Sequence, residues 1–386
     1  MIKIISLLFI MIPSFVIGQT ISGFNGTIED STQIIISGYS FGENGPTVLL
    51  FDNFEDGLSD VDIDTFATVG TWTSVSSVNV PQYHADPTIS GNMSAELMEA
   101  DISNQLTKEF APVHEYFISF KFMIPDGYHW PQTFAEETYY EGSSWKISWI
   151  MDYRDGVQAY PGSDDDYCLP TYPNATPRFS IAGNDNASQT EIGDASDGNW
   201  WFSWDEWNRF SCYMKAGNDP VNDNGIIWAQ GMSQSFGGQT DTLRTDTPLF
   251  DGNDSPTDDD IQQWNTYKIP GWAKGQDADP DDPLARALFD DIYISVGDYA
   301  RARVELGDSA AYSSCTKLDI FTTTSWGPTD ITAISRITQF QSGATAYLFV
   351  VDADGNVSDG YAVTIGQEES AEITAPTNLT ATKAGS

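Results

Sequence analysis

Basic side chains recur inside short apolar runs: Lys121 in 116–124, Lys146 in 145–151, Arg178 in 178–182, and Arg209 with Lys215 in 207–215. Read as strands, whose side chains alternate between two faces, these runs separate a polar from an apolar side. Ser119 and Lys121 oppose Tyr116, Ile118, Phe120 and Phe122, and Lys146 and Ser148 oppose Trp145, Ile147 and Trp149. Arg178 and Ser180 oppose Phe179 and Ile181, while Arg209, Ser211, Tyr213 and Lys215 oppose Phe210, Cys212 and Met214. The 386-residue chain has 17 Lys and Arg against 56 Asp and Glu, a net charge of -39, so cations gathered on strand faces stand out. If these strands share a concave sheet, they form a local positive groove suited to a carboxylated or sulfated polymer. If they lie on a convex, solvated face, they need no ligand. The surface as a whole repels phosphates, which excludes a nucleic-acid partner.

Aromatic side chains are the second chemical signal. Residues 200–207 hold four tryptophans, and Trp130, Tyr139, Tyr140, Trp264 and Trp272 fall in polar surroundings. Sugar rings present C–H faces that stack on such rings, and Trp130 and Trp272 are the groove candidates. Trp207 starts a strand and is expected in the core. Two spaced carboxylates of the kind that hydrolyse glycosides are missing: Asp205 and Glu206 are adjacent and point to opposite faces.

The elements that must position these groups are strands. Helical periodicity is nearly absent, and apolar runs punctuated by Gly, Asn, Asp and Pro predict an all-β, antiparallel sandwich. Strands are expected at 33–37, 47–51, 116–124, 145–151, 178–182, 207–215, 226–230, 287–296, 330–337 and 346–352. The acidic, Gly-rich stretch 231–283 reads as loop decoration. Asp352-Ala-Asp-Gly-Asn has EF-hand-like alternation without the Glu at loop position 12, and reads as a hairpin turn. Cys168, Cys212 and Cys315 are too few for a disulfide scaffold, and Cys212 is expected to be a buried, inert thiol.

Residues 1–18, with Lys3 before an apolar run, read as a signal peptide too short to span a bilayer. The expectation is a secreted or cell-surface protein with no membrane span in the mature chain, from a marine or saline setting. Residues 21–27 followed by Ile34-Ile-Ile-Ser-Gly-Tyr-Ser-Phe-Gly resemble the opening of an IPT/TIG immunoglobulin-like domain, and 325–334 with 346–364 resemble its closing strands. This resemblance implies a discontinuous small β-sandwich at 19–48 and 315–366, with 49–314 inserted into it. Residues 367–386 read as a linker and the start of a fibronectin type III-like segment.

Phe51-Asp-Asn-Phe-Glu-Asp-Gly, Phe289-Asp-Asp-Ile-Tyr-Ile-Ser and the pair 207–215 and 224–231 resemble a concanavalin A-like jelly roll, as in LamG-type modules and jelly-roll polysaccharide lyases. Tyr213-Met-Lys215-Ala-Gly217 is similar to the Y-x-K-x-G strand of alginate lyases, although the companion R-x-E-x-R strand is absent. The resemblance implies cleavage of an acidic, uronate-containing polysaccharide such as alginate by β-elimination, with no cofactor required for catalysis. A cation must neutralise the C6 carboxylate, a base must take the C5 proton and an acid must protonate the leaving oxygen. Arg178 or Arg209 is then the neutraliser, Tyr213 the acid or base, and His129 the preferred partner base over His84 and His114. Lys121, Lys146, Lys215, Trp130 and Trp272 would bind substrate. The same resemblance implies a structural calcium ion held by Asp52, Glu55, Asp290 and Asp291, where the first and last strands meet. The alternative is a non-catalytic polysaccharide-binding or adhesion module.

Overall fold

A computed structural model describes residues 18–124, 145–151, 167–172, 178–183, 191–192, 200–216, 225–247, 263–269 and 286–369, apart from 78–79, 86–87, 90, 101, 104, 180, 234 and 236–237 within them. Residues 1–17 and 370–386 fall outside it, and so do the signal-peptide and fibronectin-like readings. Among the described residues no helix is long and apolar enough to cross a membrane.

The chain is an all-β protein of antiparallel sheets. A ten-stranded and a nine-stranded sheet are stacked face to face. Apolar alternation makes the stack: Tyr116, Ile118, Phe120, Phe122, Phe210, Cys212 and Met214 of the first sheet meet Ile147, Ile150, Trp264, Tyr267 and Ile269 of the second in one buried cluster. Tyr116 and Trp264 pack edge to face at 5.0 Å, a favoured aromatic geometry. Trp264 is therefore core, and the strand Trp264–Ile269 pairs with Trp145–Met151 in the middle of the nine-stranded sheet. With Gly238–Thr247, it shows that 231–283 is more than loop decoration: apolar and β-branched residues inside the acidic stretch are enough to build two strands.

An eight-stranded sheet forms a second, smaller unit around Phe24, Ile34, Ile36, Val304, Leu306, Phe321, Ile331, Leu348 and Val350. Its Gln33–Tyr39 strand pairs with Asp330–Ile334, so residues close to the two ends of the chain share one sheet. Arg303–Gly307 belongs to it as well, which starts its C-terminal half earlier than residue 315. Within the sandwich, Thr47–Asp52 pairs with Arg286–Val296, so the chain enters and leaves on neighbouring strands. At 352–356 the backbone makes a turn: Asn356 N donates to Asp352 Oδ1 at 2.8 Å, and Gly355 adopts φ +86°. The carboxylate of Asp352 satisfies the turn's own amides, as hairpin chemistry requires.

Candidate functional site

The polar faces of the predicted basic strands do not form one groove. Lys121, Arg209, Tyr213 and Lys215 all lie in the ten-stranded sheet, on the face away from the sandwich core, and the small unit packs against that face. Lys121 is 3% exposed. Its Nζ pairs with Asp291 Oδ2 at 2.8 Å and with Asp319, and bonds Thr338. Burial works to lower its ammonium, but Asp291 and Asp319 outweigh that and raise it. Arg209 donates to Ser119 Oγ at 3.0 Å and to the fully buried Glu305. Burial would raise the Glu305 carboxyl, yet Arg303 and Arg209 hold it below its usual range. Each charge is thus neutralised by a partner across the junction, because an unpaired ion in this setting would be far costlier.

Tyr213 is also committed to the junction. Its hydroxyl donates to Glu115 Oε2 at 2.7 Å, and the guanidinium of Arg301 lies 5.4 Å from the ring centroid. Burial and the Glu115 charge push the phenol well above its ordinary value, so it cannot act as a base at neutral pH. Lys215, nearly half exposed, pairs with Glu115 at 2.7 Å. The placement corrects the sequence expectation for Lys121, Arg209 and Tyr213: they face another folded unit of the same chain. The missing information was the partner of that face.

The four expected calcium ligands do not converge. Asp52 accepts from Trp72 Nε1 at 2.7 Å and Phe54 N at 3.0 Å, and burial pushes its carboxyl up to about 7. Glu55 accepts from the amides of Asn92 and Met93 at 2.7 and 2.9 Å. Asp290 accepts from the amide of Asp291, and Asp291 pairs with Lys121. Among the described residues no group of three His, Cys, Asp or Glu side chains is arranged to hold a metal. These carboxylates serve loop amides, an indole and a lysine.

The nine-stranded sheet turns its outer face away from the small unit. Directly paired residues of antiparallel strands share a face, and Leu106, Ile150, Tyr267 and Ile269 mark the core side. The opposite side carries the row Thr107, Lys268, Trp149 and Cys168. Lys268 is half-buried, whereas Trp149 is buried but outside the core cluster. Register extends this side: Lys146 pairs with Pro170, Tyr172 with Arg178, and Arg178 with Trp201. A β-bulge between Lys146 and Trp149 brings those two residues to the same face. Strict alternation put them on opposite faces, so the expectation for Trp149 is corrected. Three cationic positions, Lys146, Arg178 and Lys268, thus share a face with Trp149, Tyr172 and Trp201. Lys268 escaped the sequence reading because its strand lies in the acidic stretch; its signal was the β-rich hexamer Trp264-Asn-Thr-Tyr-Lys-Ile269.

His129, Trp130 and Trp272 lie outside the described residues. His84 pairs with Glu96 at 2.9 Å, far in sequence from either basic face. Trp207 is half-buried and lines a cleft between the sandwich and the small unit, not the core.

No family model matches the chain, and no curated protein matches it in sequence. Among solved structures, it is similar to an alginate lyase, Aly36B, in complex with alginate trisaccharide, at 9% identity and a TM-score of 0.43, over 66% of this chain and 100% of that one. A marine PL-14 alginate lyase from Aplysia kurodai gives 9% identity and a TM-score of 0.42, over 65% of this chain and 100% of that one. Lectin II from Ulex europaeus gives 9% identity and a TM-score of 0.27, over 69% and 99%. Likenesses this loose assign neither a family nor an activity.

Proposed function

We propose that the protein is carbohydrate-active: it binds an acidic, uronate-containing polysaccharide on the outer face of the nine-stranded sheet and cleaves it by β-elimination. The observation that supports this is the collection of Lys146, Arg178 and Lys268 positions with Trp149, Tyr172 and Trp201 on one face. Cations there recognise carboxylates and the rings of Tyr172 and Trp201 stack on sugar C–H faces, Trp149 being buried. In the elimination, Arg178 or Lys268 neutralises the C6 carboxylate. This makes the C5 proton removable by a base of the same face, and the pair of electrons left on C5 forms the C4=C5 bond as the C4 oxygen leaves with a proton. Tyr172, paired in register with Arg178, replaces Tyr213 in the acid–base role, with His129 the candidate partner base.

A second reading, binding without cleavage, is favoured by the engagement of Tyr213 and Arg209 in the junction. Absorbance at 235 nm during incubation with alginate and other polyuronates separates the two, since β-elimination creates an absorbing unsaturated end. Signal on at least one polymer supports the lyase. No signal on any, with retention on the same polymers, leaves binding alone, and neither signal nor retention on any overturns both readings.

A further inference from the structure

Lys121, Asp291, Asp319 and Thr338 form a group at the junction that the proposed polysaccharide chemistry does not use. Lys121 comes from the strand Glu115–Met123 of the sandwich and Asp319 from the strand Leu318–Trp326 of the small unit, 198 residues further along the chain. The amine and the carboxyl are in direct hydrogen-bond contact, and both side chains are buried. Thr338 holds Asp319 from its other side: Oδ2 accepts from the Thr338 amide at 2.7 Å, and Oδ1 accepts from the Thr338 hydroxyl at 2.6 Å. That hydroxyl in turn accepts from Lys121 Nζ. Asp291 Oδ2 meets the same Nζ at 2.8 Å, while its Oδ1 is buried with no hydrogen-bond partner.

An amine and a carboxyl held together away from water are the reactants of an amide. We propose that Lys121 Nζ and Asp319 Cγ condense into an intramolecular isopeptide bond, with Asp291 as the catalytic proton carrier. As an ammonium, Lys121 has no lone pair to attack with. The Thr338 hydroxyl, which accepts from Nζ and donates to Oδ1, passes one proton from the nitrogen to Asp319 and leaves a neutral amine beside a neutral acid. Asp291 and Asp319 both raise the ammonium, so this transfer is uphill and the reaction is slow. The Nζ lone pair then forms a bond to Cγ, and the carbonyl pair moves onto Oδ2, where the Thr338 amide receives the charge. Asp291 takes the proton that the nitrogen releases across the 2.8 Å contact; burial raises its carboxyl, which suits it to hold a proton and give it up again. The C–Oδ1 bond breaks as Oδ1 takes that proton. Of the three ammonium protons one stays on the amide nitrogen and two leave with Oδ1 as water, so Asp291 ends as it began and no other reactant enters. Fixed contact supplies a high effective concentration, and the uncharged amide replaces two buried charges that are costly to keep. The ion pair and the amide are successive states of the same side chains, and the amide ties the sandwich covalently to the small unit, whatever polymer the sheet face binds.

The test is mass spectrometry of the purified full chain, intact and after trypsin. Wild type is expected to be lighter than its sequence by one water, and its digest to contain a branched peptide that joins the Lys121 and Asp319 segments and is uncleaved at Lys121. Lys121→Met and Asp319→Ala are expected at full mass. Asp291→Asn, nearly isosteric, is expected to show a branched fraction at least about tenfold smaller, since proton transfer by a placed side chain commonly contributes more than that. A near-ultraviolet CD spectrum equal to wild type identifies the variants that fold. Wild type at its full sequence mass overturns the inference, as does a water loss that maps to any other peptide. A branched fraction as large in folded Asp291→Asn as in wild type overturns the role given to Asp291. Wild type alone carries the mass and linkage readout, so a variant that fails to fold does not blunt the test.

Discussion

Replacing Lys121 by Met separates a structural from a substrate-binding role for the basic strands. The ammonium lies between Asp291 and Asp319; Lys121 and Asp319 are buried and Asp291 nearly so. The methionine keeps most of the side-chain volume, so little packing is lost, but two carboxylates lose their cation. Removing one partner of a buried ion pair costs about 3–5 kcal/mol, which corresponds to a fall in Tm of about 10 °C for a domain of this size class. The loss depends on pH with a definite sign. Burial already raises the Asp291 carboxyl against the pull of Lys121, and without the lysine it rises further. A carboxyl with a raised folded pKa stabilises the fold relative to its charged form only while protonated, so stability falls as pH climbs through that value. Urea unfolding of wild type and Lys121→Met at pH 5 and pH 8 should therefore show the larger deficit at pH 8. Retention of the folded variant on polyuronate should equal wild type. A deficit below about 1 kcal/mol at both pH values would refute the buried junction, and weakened retention by folded protein would restore Lys121 to the substrate face.

Lys268→Ala should weaken polyuronate retention about tenfold or more, the value of one charge-assisted contact, with an unchanged near-ultraviolet CD spectrum; unaltered retention removes Lys268 from the site. Tyr213→Phe should lower stability by about 1–3 kcal/mol, since Glu115 loses a buried hydrogen bond, and should leave any unsaturated-product signal intact. Loss of that signal in folded protein would return Tyr213 to catalysis. Asp52, raised from 3.8 to about 7 by burial, costs the fold up to about 4 kcal/mol as pH rises from about 4 to 7, the range in which the unfolded chain's carboxyl has ionised and the folded one has not, with no further loss above it; Asp52→Asn should therefore cost more stability at pH 5 than at pH 9, measured by urea unfolding. An equal cost at both pH values would show that the carboxyl titrates normally. In a Cys168→Ser background the folded protein should leave Cys212 unmodified by a thiol reagent, because burial and a raised thiol keep it un-ionised; rapid labelling of Cys212 would contradict that packing.

The alternation of side chains was legible because it is a local property with a period of two residues. Tyr116, Ile118, Phe120 and Phe122 face the core, and so do Phe210, Cys212 and Met214, as the runs themselves imply. The inert Cys212 and the 352–356 turn were legible for the same reason, since each rests on neighbours within a few residues. Trp149 was not, because a bulge breaks the period and only the partner strand reveals it. The Trp264–Ile269 strand was obscured by acidic flanks that dominate composition over a long window.

What the sequence by itself determined, then, is that this is an all-β chain with two-faced strands and too few cations to waste. Which sheet each strand joins was decided by backbone pairings between residues far apart in the chain, such as Phe51 with Tyr293 and Ile36 with Ile331. A polar strand face has the same pattern whether it meets water, a sugar or a second folded unit. Only the tertiary structure shows that the small unit covers the face of Lys121, Arg209 and Tyr213, and that Lys146, Arg178 and Lys268 gather on the other sheet.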